Sequence, residues 1–148
     1  MSVVEVDLPA ERSRLCEHVL RDLPDWFGIE EATVAYISDV AALPTFAIGD
    51  DALLSLKLHT SRAAEVFVMG VRRARHGRGL GAALLRAAEV YLLARNVEYL
   101  QVKTLGPSHP DAGYARTRAF YKARGFVPLE ELHGPWEGNP CLLLVKRL

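Results

Sequence analysis

The chain has 148 residues, with 18 Lys+Arg against 18 Asp+Glu, 50% hydrophobic residues and 24% charged ones. This is the profile of one globular domain, able to bury about 70% of its unfolded surface without disulfides or a structural metal. A net charge of zero lacks the basic excess of a dedicated nucleic-acid binder. No apolar run is long enough for a membrane span, and the first residues carry no signal-peptide pattern, so the sequence reads as cytoplasmic.

In chain order, residues 3–6 form a short strand candidate. From Pro9 to about residue 22, Leu15, Cys16, Val19 and Leu20 recur at helical spacing, and the helix must end before Pro24. Residues 29–39 suit a second, weaker helix, although Thr33, Val34, Tyr36 and Ile37 also suit a strand. Residues 45–48 and 52–58, joined by Gly49-Asp50-Asp51, predict a hairpin, and 64–71 a further apolar strand. A glycine-rich loop at 77–81 precedes a helix over 82–95, where Leu84, Leu85, Ala88, Tyr91 and Leu92 share one face. A strand at 99–104, a helix at 112–124 stopped by Gly125, and strands at 126–129 and 141–146 complete the chain. Strand–helix–strand over 64–104 requires at least one parallel crossover, so the fold class is mixed α/β.

Glycines 77, 79 and 81 lie between a strand and a long helix, with Arg72, Arg73, Arg75 and Arg78 alongside. Glycine lets backbone approach a ligand closely, and a helix start offers unpaired N–H groups with partial positive charge. That combination suits a phosphate or pyrophosphate, although the spacing matches neither a P-loop nor a dinucleotide fingerprint. The two cysteines, Cys16 and Cys141, have no zinc-ligand spacing, and Cys141, in an apolar run, reads as a core thiol; no metal is expected.

The run Arg-His-Gly-Arg-Gly-Leu-Gly-Ala-Ala-Leu-Leu, and Thr117-Arg118-Ala119-Phe120-Tyr121-Lys122-Ala123-Arg124-Gly125-Phe126 downstream, resemble the acyl-CoA and C-terminal motifs of GNAT-type N-acetyltransferases. The resemblance covers about residues 44 to 130. It implies a single acetyltransferase domain over 1–148, with a mixed central sheet splayed between the 64–71 and 98–105 strands and flanked by helices. It further implies acetyl-CoA in the cleft, with no metal. The pyrophosphate would lie on the backbone of His76, Gly77, Arg78, Gly79, Leu80 and Gly81, and the pantetheine arm along Met69, Gly70 and Val71. His76 departs from the Arg or Gln usual in the family at that place.

Tyr121 is then the expected general acid, a phenol that protonates the departing CoA thiolate and contacts the cofactor. Glu65, at the start of the 64–71 strand, is the expected base, sharing a strand side with Phe67 and Met69; His59 is the alternative base. Trp26 and Phe27 fall where the family builds its acceptor site. Tyr114 stands where many relatives have Asn, and Trp136 is placed over the cleft or on the last hairpin. The implied reaction is direct acetyl transfer, in a ternary complex, to the amine of a small molecule or peptide. The family also makes a homodimer a reasonable expectation. The competing reading is a non-catalytic acyl-CoA-binding module on the same scaffold. Residues 1–51 carry 11 acidic and 3 basic residues, and 52–148 carry 15 basic and 7 acidic. That split places acidic residues in the segments that frame the acceptor and basic ones around the cofactor loop, which favours a cationic amine as acceptor.

Overall fold

The computed structural model describes residues 2–136 and 138–148. Its elements are β1 (Val4–Glu5), α1 (Pro9–Leu20), α2 (Glu30–Asp39), β2 (Thr45–Ile48), β3 (Ala52–Leu58), β4 (Ala63–Val71), α3 (Leu80–Leu93), β5 (Tyr99–Leu105), α4 (Ala112–Ala123), β6 (Val127–Leu132) and β7 (Cys141–Arg147). Short 3₁₀ turns follow α2 and β4, at Val40–Ala42 and Arg73–Arg75.

Local chemistry accounts for most boundaries. Pro9 opens α1 at a position where its missing N–H costs nothing. Asp111 caps α4 by accepting the N–H of Tyr114 at 3.0 Å, and Gly125, at φ +95°, ends it. The ambiguous stretch is helical: α2 carries Glu30 and Glu31 in its first turn, where carboxylates favour a helix N-terminus. The Ser13 hydroxyl donates to the carbonyl of Ile37 at 2.7 Å, docking α2 on α1. Tertiary contact thus decides what the β-branched residues left open.

The sheet order is β1-β2-β3-β4-β5-β7-β6, and β4–β5 is its parallel pair, joined through α3. One face is covered by α3 and α4, with Leu80, Leu84, Leu85, Ala88, Leu92 and Tyr121 in a shared core with β2–β5 and β7. Each fully buried leucine there contributes about 2 kcal/mol of apolar transfer energy. On the other face, α1 places Cys16, Val19 and Leu20 against Leu53 and Val68, with Trp26, Phe27, Tyr36, Ile37 and Phe67 packed at the margin.

Two irregularities shape the site. β4 and β5 pair only at Ala63–Tyr99, Ala64–Leu100 and Glu65–Gln101, whereas β5 and β7 pair along their full length. Beyond Glu65 the two strands part, giving the splay that the family resemblance implies. The second is a bulge: Ser55 opposes Val68 while Leu56 opposes Val66, so Phe67 is an extra residue in β4.

Candidate active site

The mouth of the splay is lined by backbone. Among the described residues, no backbone carbonyl accepts the N–H groups of Gly77 through Ala82; the first paired donor is Ala83, to Gly79. Six successive donors are therefore free around the start of α3. Gly77 and Gly79 have φ of +74° and +80°, the left-handed region that favours glycine, and a Cβ on either would meet nothing within 4 Å. Gly81 serves a different purpose. Its Cβ would stand 3.3 Å from the ring of Phe120, so it allows α3 to pack on α4. α3 begins at Leu80, two residues earlier than the periodicity suggests, which puts Leu80 and Gly81 in its first turn.

The open edge of β4 supplies the second backbone element. Val71 is opposite Ala52, and the N–H of Arg72 donates to Asp51 at 2.8 Å. The antiparallel alternation then turns the polar groups of Val68 and Gly70 toward β3 and those of Met69 and Val71 into the splay. One of these is already used: the His76 ring donates through Nε2 to the carbonyl of Val71 at 2.5 Å, closing the loop onto the strand. The row of free N–H groups and the unpaired strand edge fit the pyrophosphate and the amide-bearing arm of acetyl-CoA.

Three of the four arginines beside the loop are paired with aspartates. Arg72 and Arg75 pair with Asp51 at 3.4 and 2.6 Å, and Arg73 pairs with Asp25 at 2.6 Å. The backbone N–H of Arg73 donates to Asp22 at 2.8 Å. The expectation of a basic loop facing an acidic acceptor side is corrected accordingly. The acidic residues at 22, 25 and 51 neutralise the loop and fasten it to the α1–α2 connection and the β2–β3 turn. Arg78 is exposed and makes no ion pair among the described residues.

Tyr121 lies inside the α3–α4 core, edge-to-face with Phe120 at 5.2 Å and Phe126 at 5.3 Å between ring centroids. Its hydroxyl makes no hydrogen bond among the described residues, and burial pushes its pKa well above the ordinary phenol value. At neutral pH it is a protonated, neutral phenol.

Glu65 and His59 stand together. His59 Nε2 is 2.6 Å from Glu65 Oε1, so the two residues offered by sequence as rival bases form one hydrogen-bonded pair. Lys103 brings its ammonium to 3.6 Å from the same oxygen. The Glu65 side chain is 9% exposed and that of His59 33%. The bulge corrects the expected grouping on β4. Glu65 and Phe67 face the α1–α2 side, whereas Met69 packs into the α3 core, 3.9 Å from the position a Gly81 Cβ would take.

Aromatic side chains close this side. Phe27 packs on Tyr36 (6.0 Å between centroids) and Tyr36 on Phe67 (5.3 Å). Trp26 reaches the other way, 6.0 Å from the His76 ring, with its indole 3.3 Å from where a Gly113 Cβ would be. Trp26, Asp25, Asp111, Gly113 and Arg116 line a cavity of about 290 Å³ at the start of α4. The Tyr114 hydroxyl donates to the carbonyl of Trp26 at 2.9 Å, and burial raises its pKa to about 12. Tyr36 and Lys103 carried no motif, and only the fold brings them here; Tyr114, singled out by its place before the Tyr121 helix, gains its partner Trp26 from the fold. Trp136 sits in the β6–β7 connection, its carbonyl accepting the N–H of Asn139 at 3.2 Å. Cys16 and Cys141 are fully buried free thiols with pKa raised by burial, Cys16 to about 12.

Residues 45–126 match the model of the acetyltransferase (GNAT) family. A mycothiol acetyltransferase from Beutenbergia cavernae is 38% identical over 84 residues, covering 55% of this chain but 26% of that protein. This chain therefore spans about a quarter of the length of the curated relative it matches. Among solved structures, a protein described as a GNAT-family acetyltransferase from Desulfovibrio desulfuricans superposes with a TM-score of 0.80 at 16% identity, covering 99% of both chains. A GNAT acetyltransferase from Elizabethkingia anophelis, solved with acetyl-CoA bound, gives 0.67 at 14% identity over 99% of this chain and 97% of that one. With its strand-edge splay, its glycine loop and a family match over more than half its length, the chain belongs to the GNAT acetyltransferase family.

Proposed function

We propose that this protein is an N-acetyltransferase that takes an acetyl group from acetyl-CoA and passes it directly to a primary amine held in the same complex. The observation that carries this reading is the row of six unpaired N–H groups from Gly77 to Ala82, set at the end of a strand whose edge is open. Acetyl-CoA supplies the activated thioester; this chain supplies binding and proton handling.

The row of N–H groups binds the pyrophosphate as a helix N-terminus binds an anion. The free groups of Met69 and Val71 align the arm along β4. An amine with a pKa near 10.4 arrives protonated and must lose its proton before it can attack. The His59–Glu65 pair receives that proton. With Nε2–H donating to the Glu65 carboxylate, Nδ1 carries the free lone pair, and the buried carboxylate stabilises the imidazolium that forms. Tyr121, held neutral by its surroundings, donates its proton to the leaving thiolate. Both cysteines are buried in the core as thiols, which favours direct transfer over an acyl-enzyme.

The test is thiol release from acetyl-CoA against a panel of amines, with acetyl-CoA affinity measured in parallel by calorimetry. Release that depends on both substrates supports the reading. Tight binding with no release for any amine overturns it in favour of a non-catalytic acyl-CoA-binding module.

A further inference from the structure

Among the described residues five polar side chains are buried, and four of them have partners. Thr33 donates to the carbonyl of Phe27 at 3.2 Å, Thr45 and Ser55 share a hydrogen bond of 2.8 Å, and Glu65 holds His59. Thr104 is the exception. It is 4% exposed, and its Oγ1 is buried with no hydrogen-bond partner among the described residues. A hydroxyl so placed has given up water and gained no bond in the free protein, and a ligand can supply the missing one.

Its surroundings say which ligand atom that is. Alternation along β5 puts Leu100, Val102 and Thr104 on one side, that of the α3–α4 core to which Leu100 and Val102 belong. The flank of Thr104 toward β7 is filled by Leu142, its cross-strand partner in the same core. The flank toward β4 is the splay, because β4–β5 pairing ends at Gln101. Met69, on the opposite wall of that gap, packs against this core, and α4 brings Tyr121 into it.

Resting on the acetyltransferase reading above, we infer that Thr104 is a further catalytic residue, whose hydroxyl donates a hydrogen bond to the sulfur of acetyl-CoA as the thioester C–S bond breaks. In that step the electron pair of the bond goes to sulfur, Tyr121 supplies the proton, and Thr104 keeps its own. A neutral sulfur is a weak acceptor and a thiolate a much stronger one, so the bond strengthens with the charge. An interaction made chiefly as charge develops lowers the barrier without tightening substrate binding. The fold has already stripped the hydroxyl of water, so nothing has to be reorganised at the moment of reaction.

Thr104→Val keeps the shape of the side chain and removes the hydroxyl. Its midpoint in urea is expected to equal or exceed that of the wild type, because no bond is lost. A clearly lower midpoint, or a variant that does not fold, would show that the hydroxyl serves the fold and would overturn the assignment. With an amine that is turned over, kcat is expected to fall about tenfold while acetyl-CoA Kd changes less than about twofold, and Thr104→Ser to keep most of kcat. An unchanged kcat overturns it too. Calorimetry gives a reading that needs no turnover, because the thiol of CoA ionises at about pH 8.5, as an ordinary thiol does. From pH 7 to 9.5, affinity for CoA relative to acetyl-CoA is expected to rise about threefold more in the wild type than in Thr104→Val. An equal change in both refutes the contact with sulfur. If acetyl-CoA binds and no amine releases thiol, the transfer reading fails, and the CoA comparison alone decides whether Thr104 meets the sulfur.

Discussion

Tyr121 and Gly79 show how differently single residues contribute. Tyr121→Phe keeps the ring between Phe120 and Phe126 and removes only the hydroxyl. We expect kcat to fall about 10- to 100-fold while acetyl-CoA affinity changes less than about twofold. Steady-state kinetics with calorimetry measure both, and an unchanged kcat would remove the phenol from the mechanism. Gly79 has no neighbour to clash with, so Gly79→Val acts through its φ of +80°. Straining that residue costs about 1–2 kcal/mol. It also turns the row of N–H groups away, and acetyl-CoA affinity should weaken at least tenfold, read by calorimetry. The sequence pattern alone treats glycines 77, 79 and 81 as one motif. The structure separates two needed for conformation from one needed for packing, because only a folded α4 brings Phe120 over Gly81. His59 and Glu65 are individually visible in the sequence for the same reason that they seem to compete: each is a plausible base. Their 2.6 Å contact depends on the turn between β3 and β4, where the N–H groups of His59 and Thr60 both donate to Ala63.

At the level of elements, periodicity locates nearly every helix and strand, since apolar spacing is a local property. It does not show how strands sit against each other. The bulge at Phe67 puts Glu65 and Met69 on opposite faces, and nothing in strict alternation announces an extra residue. Nor can spacing reveal that α4 holds the α1–α2 connection through the Tyr114 hydroxyl and the Trp26 carbonyl, 88 residues apart. Tyr114→Phe leaves that carbonyl without its partner and should cost about 1 kcal/mol in urea unfolding. On the proposed reading, in which Trp26 and Phe27 border the acceptor, the same change should raise acceptor KM more than it weakens acetyl-CoA. An equal effect on both would place the connection's influence on the cofactor loop instead.

Over the whole molecule, several acids are kept protonated by burial. Cys16 and Tyr114 have pKa values near 12, and Tyr121 is shifted in the same direction. An unfolded chain releases these protons from about pH 8.5 for the thiol and about 10 for the phenols. Above those values the unfolded state binds fewer protons than the folded one, so stability is flat through neutral pH and falls as the solution becomes alkaline. Between pH 8 and 10.5, Cys16 alone should account for a loss of about 2 kcal/mol. Denaturant titrations at the two pH values measure it, and Cys16→Ala should flatten the slope.

The segregation of charge along the chain has its counterpart in space. Four ion pairs, from Arg72, Arg73 and Arg75 to Asp22, Asp25 and Asp51, join the acidic first third to the basic remainder. On the proposed reading, guanidinium groups spent in this way leave the pyrophosphate to backbone dipoles and Arg78 rather than to four free cations. Because salt screens net charges at the surface, CoA affinity should fall only weakly as salt rises, where four free arginines would give a steep fall. A steep slope from titrations between 50 and 500 mM NaCl would show that the ion pairs open in solution. A shallow one means that spent CoA leaves as readily in concentrated cytosol-like salt as in dilute buffer, so turnover is buffered against changes in ionic strength.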